Sequence, residues 1–502
     1  MIHNIAIGSA DAGGVASGAN ATGNGGNNIA VGSSSNASGN VSVNVAIGFG
    51  ATANAPTFFG QNVAIGGSAF LGGAANASGD VSVNVAIGSG ANASGSGSIP
   101  SSGFAPISNV AIGLNANSSG NGAANVANGF NANASGTGSS NIAIGNGATA
   151  TGNNVSNTAV GTGSAATGAG SAAFGGSRAL GSQSTAVGFD NIANSTNSIA
   201  AGSGNRVTGN NSGAFGTSQT VNGNGSFGIG DPNTINGNSS FVFGDGNSVN
   251  GGNTAGFGDN IQVTGSNNTV AGLASAAGSS VYGSGNTVNA TNTVVMGNTS
   301  IVTGASGIAI GNGVSVAGNN AVAVGTGSSA NFSNSAAVGN GATVTRANQQ
   351  VFGTASNTYT MGGVSSVASR AAQSGPVQLV TSDAGGNLAT SSLAGLGLAS
   401  SADVGAINSQ LTAINNRLTD LDTRTNKAYS GVAMAFAMAG VPTLLPSEKF
   451  ATSMNWGTFQ GGNGLAVNAA MRVSNNMQLN GGVAYGPEGG VAGGRVGLRV
   501  GW

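Results

Sequence analysis

A 14-residue period constrains this chain more than any other feature. The unit is Asn or Ser, then Val, Ile or Phe alternating with Ala, then Gly. Early copies are Asn44-Val-Ala-Ile-Gly48, Asn62-Val-Ala-Ile-Gly66 and Asn84-Val-Ala-Ile-Gly88. Later copies are Ser184-Thr-Ala-Val-Gly188, Ser240-Phe-Val-Phe-Gly244 and Ser335-Ala-Ala-Val-Gly339. From Gly188 the closing glycines fall at 202, 216, 230, 244, 258 and 272. After one 11-residue step they resume at 283, 297, 311, 325, 339 and 353. Before Gly188 most steps are longer, so the early units carry insertions such as Ala55–Gln61 and Gly97–Ile107. Counted by closing glycines, Gly8 to Gly353 holds 23 units.

Such a period is not helical. Gly and Asn are poor helix formers, and β-branched residues alternating with Ala suit strands. Fourteen residues make two strands of about five and two tight turns, and Gly, Asn and Asp supply the positive φ that turns need. Each unit is therefore expected to form one coil of a β-solenoid over residues 1–353, stacked on its neighbours. Val and Ile are expected inside the coil, with the intervening Ala facing outward where another chain can approach. A calcium-binding nonapeptide roll is the rival solenoid, but it needs an Asp in nearly every turn. Here only Asp11, Asp80, Asp190, Asp231, Asp245 and Asp259 serve the array.

The last hundred residues change character twice. Val404, Leu411, Leu418, Thr425 and Val432 share one heptad position, and Ile407, Ile414, Leu421, Ala428 and Ala435 share the other. This is a coiled-coil seam, most clearly over residues 404–425, and Leu at a with Ile at d favours three or four strands over two. Four alternating segments follow: Lys449–Phe459, Gly464–Ser474, Met477–Gly486 and Val491–Trp502. Each has about the ten residues that a tilted membrane strand needs. Leu465, Val467, Ala469, Met471 and Val473 alternate with Ala466, Asn468, Ala470, Arg472 and Ser474. Val496, Leu498, Val500 and Trp502 alternate with Arg495, Gly497, Arg499 and Gly501. Apolar-out and polar-in is the dyad period of a membrane barrel. A soluble antiparallel sheet packed on the helix is the competing reading, and it explains poorly an apolar series that runs to the final residue. Four strands cannot close a barrel, because an open edge in lipid leaves backbone groups unsatisfied. Several chains must contribute, and the seam leaves three or four.

Residues 426–502 resemble the anchor of the trimeric autotransporter adhesins, the YadA-like family. The likeness rests on Asn426-Lys-Ala-Tyr-Ser-Gly-Val-Ala-Met-Ala-Phe-Ala-Met-Ala-Gly440, on Leu445-Pro-Ser-Glu-Lys449, and on four strands with a terminal aromatic. The Asn/Ser-Val-Ala-Ile-Gly motif is similar to that family's head, a trimeric left-handed parallel β-roll. The resemblance implies a homotrimer with a twelve-stranded barrel in the outer-membrane lipid and helices plugging the lumen. It also implies that Val496, Leu498, Val500 and Trp502 are read by the outer-membrane barrel-assembly machinery. The family often places a neck between roll and stalk. Residues 354–403 lack its usual motif, so an ordered connector and a disordered linker both stay open. Asn357–Gly363 and Thr381–Thr390 read as short strands around turns, the second a hairpin.

Composition limits the rest. Net charge is −1, which gives no steering to nucleic acid. There is no Cys, and no apolar run is long enough for a membrane-spanning helix. No signal peptide precedes Met1-Ile-His-Asn-Ile-Ala-Ile-Gly8, which already lies inside a repeat, so the chain is expected to be an N-terminally truncated piece. The one histidine, His3, and isolated turn aspartates offer no acid–base constellation, no metal site and no cofactor loop. Asp231, Asp245 and Asp259 recur at 14 and are expected to stack on one edge, through turn chemistry or as a weak cation ladder. The Asn36, Asn76 and Asn92 sequons are expected by chance at this composition. Arg495 and Arg499 would cost about 2–4 kcal/mol each at the lipid midplane, so they are expected in the lumen. There they would contact the plugging helices or mark the rim. The chain is thus expected to be a non-enzymatic surface adhesin whose head binds an extracellular-matrix or cell-surface ligand. A passive, self-associating biofilm fibre is the alternative, and a polysaccharide-acting solenoid enzyme lacks the clustered residues it would need.

Overall fold

The computed structural model describes residues 3–10, 17–67, 73–97 and 107–502, in two compact units, Met1–Thr358 and Tyr359–Trp502. Asp11 and most of the Gly97–Ile107 insertion lie outside the described residues.

The first unit is a long parallel β-solenoid. The Val-Ala-Ile segments form one 22-stranded parallel sheet, from Ile5–Ile7 to Gln350–Phe352. The shorter strands that follow them in each coil form a second parallel stack. It is continuous over twelve strands from Thr149–Ala150 to Ser315–Val316, and earlier coils join through bridges such as Asn76↔Asn92. The register is strict: Val45 pairs with Val63, Ala46 with Ala64, and Ile47 with Ile65.

The side chains face the opposite way from the sequence expectation. Ala46, Ala64, Ala86, Ala111 and Ala143 are fully buried, whereas Ile47, Ile65, Ile87, Ile112 and Ile144 stand on the surface, 36–39% exposed. In these coils Ala takes the inward place of the Val-Ala-Ile strand, whereas from Phe241 to Val302 both sheets turn Val inward, as with Val242 and Val249 or Val281 and Val288. Ile235 is fully buried, and a Cβ added to Gly228 would sit 3.0 Å from its Cδ1. The outer Ile and Val therefore form an apolar ladder along the solenoid, continued by Val187, Phe215, Ile229, Phe243, Tyr282 and Met296.

Closing glycines are required twice over. Gly48 has φ +125°, and a Cβ on it would lie 2.8 Å from the carbonyl carbon of Gly66 in the next coil. Buried asparagines satisfy the corners. Asn125 Oδ1 accepts from the Asn141 N–H at 3.0 Å, and Asn125 Nδ2 donates to the Gly136 carbonyl at 2.9 Å. This ladder runs through Asn28, Asn44, Asn62, Asn84, Asn109, Asn125, Asn141 and Asn157, all fully buried. A second ladder then takes over at the other corner. Asn191 Oδ1 accepts from the Asn205 N–H, and buried Asn233, Asn247, Asn268 and Asn286 continue that line.

The glycine count fails at one place. Phe241–Phe243 pairs with Gln262–Thr264, which pairs with Ser280–Tyr282, so the glycine closing that coil is Gly265, and Gly258 and Gly272 are not closers. Two insertions, near 250–258 and 271–276, mimic the period. They also separate the aspartates. The Asp231 N–H donates to Asp245 on one edge, whereas Asp259 accepts from the Asn238 N–H on a different line. Among the described residues no group of three or more His, Cys, Asp or Glu is placed to hold a metal ion. Of the early insertions, Ala55–Gln61 is a loop whose Thr57 and Phe58 N–H groups donate to Asp80, at 2.9 and 3.1 Å.

The segment Asn357–Gly363 is not a strand; it is irregular up to a turn that begins at Gly362. The expected hairpin is present, with Leu379–Ser382 antiparallel to Leu388–Ser391, and Asp383 accepts from the N–H groups of Gly385 and Asn387 across its turn. A short helix spans Val367–Ala371. A 39-residue helix spans Ser401–Ala439, opened by a capping box between Ser400 and Asp403. No helix among the described residues is long and apolar enough to cross a membrane. Four strands end the chain: β1 (Phe450–Phe459), β2 (Gly462–Ser474), β3 (Met477–Gly486) and β4 (Val491–Val500). They form an antiparallel meander in sequence order.

Candidate functional site

The long helix lies on one face of the meander, and the contact is made by absence of side chains. A Cβ on Gly464 would sit 2.5 Å from the Met434 backbone nitrogen, and one on Gly457 2.6 Å from that of Ala437. Gly462 would meet the Ser430 nitrogen at 2.9 Å. Met434, Ala437, Ala466 and Ala484 form a small buried cluster, with Met438 and Val491 against it. Phe459 meets Tyr429 and Phe436 edge-on, with ring centroids 5.7 and 6.0 Å apart.

Register sorts every strand residue onto one of two faces. Asn455, Ala466, Ala484 and Gly493 make one cross-strand row on the helix side. The same side carries Ser453, Asn468, Gly482 and Arg495, and then Arg472, Gln478 and Arg499. Arg495 donates to Asn480 Oδ1 at 3.0 Å. Arg472 donates to the carbonyls of Leu445 and Pro446.

The opposite face has no charge. It presents Phe450, Met454 and Trp456, then Leu465, Val467, Met471 and Val473, then Leu479, Val483 and Tyr485, then Val496, Leu498 and Val500, all exposed. Trp502 follows at the same parity and is wholly exposed. An exposed apolar face of this size is unusual for a soluble surface.

Three further features of this unit lack partners among the described residues. The outer edges of β1 and β4 pair with nothing in the sheet order. Each ten-residue edge leaves roughly ten backbone N–H and C=O groups unpaired. The heptad residues Val404, Ile407, Leu411, Ile414, Leu418 and Leu421 are 48–62% exposed. Val432 and Ala435 continue that line on the helix surface away from the sheet, whereas Ser430, Ala433, Met434 and Ala437 face it.

Around the end of the helix, sequence reasoning missed a set of side chains. Ser453 Oγ donates to the Gly440 carbonyl at 2.8 Å, and Asn455 Nδ2 donates to the same oxygen at 2.6 Å. Asn468 Nδ2 reaches the carbonyls of Ala437 and Gly440 at 3.3 and 3.4 Å. The available signal was polar residues at 453, 455 and 468 on the parity of the glycines. At the other end of the sheet, Glu488 in the β3–β4 turn accepts from Asn463, and those bonds hold its carboxyl below the usual range.

No family model matches the sequence.

Proposed function

We propose that this chain is a trimeric outer-membrane surface protein of the autotransporter adhesin kind. The observation that carries the reading is the uncharged apolar face of the four-stranded sheet, set opposite a helix-lined face that holds every arginine of the strands. Water does not favour that face, and lipid does. Lipid forbids the open edges of β1 and β4, so β4 of one chain pairs with β1 of the next until a barrel closes. Three chains give twelve strands, and three long helices share the lumen with their heptad residues turned toward one another. Arg495 and Arg499 then face the lumen beside the helices.

In this reading the solenoid is the exported head. Its outer Ile and Val ladder is the face on which the copies meet, a role sequence analysis had given to Ala. The remaining Asn-, Ser- and Thr-rich surface contacts host or environmental ligands, in keeping with an uncharged adhesive head. Val496, Leu498, Val500 and Trp502 serve as the insertion signal for the barrel-assembly machinery.

The test is the oligomeric state of the purified chain in mild detergent. Light scattering should give three copies, and a stable folded monomer would end the barrel reading. Binding of the head to immobilised matrix proteins, set against cell clumping alone, separates an adhesin from a self-associating fibre.

A further inference from the structure

The helix–sheet contact is close but poorly keyed. The buried side chains of the helix are small or flexible, and the bed beneath them is glycine and alanine. The helix sequence is also nearly self-similar. Moving it by four residues lays Ala433 on Ala437, Met434 on Met438 and Ala435 on Ala439. Such a slip is about 6 Å along the axis. The Ala and Met packing discriminates weakly between the two positions, and the edge contacts of Phe459 with Tyr429 and Phe436 are what packing adds for the observed one.

We propose that Ser453, Asn455 and Asn468 form a stop that fixes how far the helix runs along the sheet. All three donate to backbone carbonyls at the helix end, where the last turn has no intrahelical donor for them. Asn455 Nδ2 also donates to Ser453 Oγ at 2.9 Å, which aims both groups. Only at the observed position does the Gly440 carbonyl meet Ser453 and Asn455. After a four-residue slip those donors would face the flank of a complete helical turn whose carbonyls are already bonded.

Asn468 shows that the arrangement is kept at a cost. It is 1% exposed, and its Oδ1 has no partner. Turning the amide over would set that oxygen against two carbonyls, so the orphan acceptor is the lesser penalty. A core alanine would avoid it altogether. Beyond the helix, Arg472 holds Leu445 and Pro446 by their carbonyls, so the segment leading back to β1 is tied to the same face.

The proposal rests on the barrel reading only in naming the lumen as the place where the helix stops. The experiment is amide exchange on the full chain in detergent, with conductance of the same preparation in planar bilayers. The variants are Ser453→Ala/Asn455→Ala/Asn468→Ala, Asn468→Ala alone, and Asn463→Ala at the far end as control. The triple variant should exchange residues 433–440 at least about tenfold faster. It should keep its oligomeric state and show channel openings absent from the parent. Asn468→Ala should show part of the effect, and it carries the test if the triple variant does not fold. Unchanged exchange with unchanged conductance would overturn the stop. A parent protein that does not insert in bilayers would overturn the barrel, while exchange still decides whether the three side chains hold the helix.

Discussion

Replacing Val483 with Arg separates a lipid-facing sheet from a water-facing one. Val483 lies near the middle of β3, is 67% exposed, and sits between Val467 and Gly494 in register. Nothing on that face could pair with a guanidinium. If the face meets water, the change is an ordinary surface substitution, within about 0.5 kcal/mol. If it meets hydrocarbon near the midplane, each chain pays about 2–4 kcal/mol. That is roughly a 30- to 800-fold shift in the folding equilibrium per chain, compounded over the copies in a barrel. The assay is urea unfolding of the protein in phospholipid vesicles, followed by tryptophan fluorescence, with Val483→Leu as control. V483R should unfold at much lower urea or fail to insert, and V483L should match the parent. Equal insertion and equal midpoints for V483R would refute the membrane-facing assignment.

Further outcomes are expected. Ala200→Leu should destabilise the solenoid by about 1–3 kcal/mol, because Ala200 is fully buried and stacked between Ala186 and Ala214 of the neighbouring coils. Ala substitution of exposed Ile310 should leave an isolated head monomer nearly unchanged, and thermal unfolding compares the two. Deleting Trp502 should lower surface labelling of the head in cells carrying the protein behind a signal peptide, and equal labelling would weaken the role of the last residue. Backbone and side-chain hydrogen bonds from Ser400 lower the Asp403 carboxyl below 3.8. Its contribution to the helix start is therefore present above the unfolded value and lost as pH falls through the lowered one. Protection of the 401–404 amides, measured relative to the intrinsic exchange rate at each pH, should fall in acid and lose that pH dependence in Asp403→Asn.

The alternation of the last four segments was legible because a strand period of two sorts side chains without further information. The strand limits agree with the sequence reading to within two residues, and Arg495 and Arg499 share the parity of the helix-facing glycines. In the solenoid the same period named two faces but not which was inside. That depends on how the two sheets pack together, and it put Ala inward and Ile outward in the Val-Ala-Ile coils but Val inward in later ones such as those of Val242 and Val281. The run of glycines to Gly272 misled for a related reason. Insertions near 250 and 271 happen to preserve a spacing whose partners are settled by pairing of Phe241–Phe243 with Gln262–Thr264. Polar residues at 453, 455 and 468 on the parity of the glycines marked the face, but their carbonyl contacts arise between distant segments and could not be read from it.

The corner asparagines make chain length adjustable. Within a ladder most coils offer the next the same asparagine acceptor, the unpartnered Gln219 oxygen excepted, so removing one whole coil rejoins equivalent groups. Between Asn191 and Asn247 a 14-residue deletion replaces one asparagine corner by an identical one or by Gln219. A deletion that joined the coil of Asn125 to that of Asn205 would set asparagine against serine at one corner and alanine against asparagine at the other, because Asn125 and Ala132 stand where the later coils have Ser212 and Asn205. Gene rearrangements can therefore shorten or lengthen either half of the solenoid one coil at a time, while the changeover between Asn157 and Asn191 resists being crossed. The length of the solenoid becomes a heritable quantity that varies in increments of one coil, about 4.8 Å each.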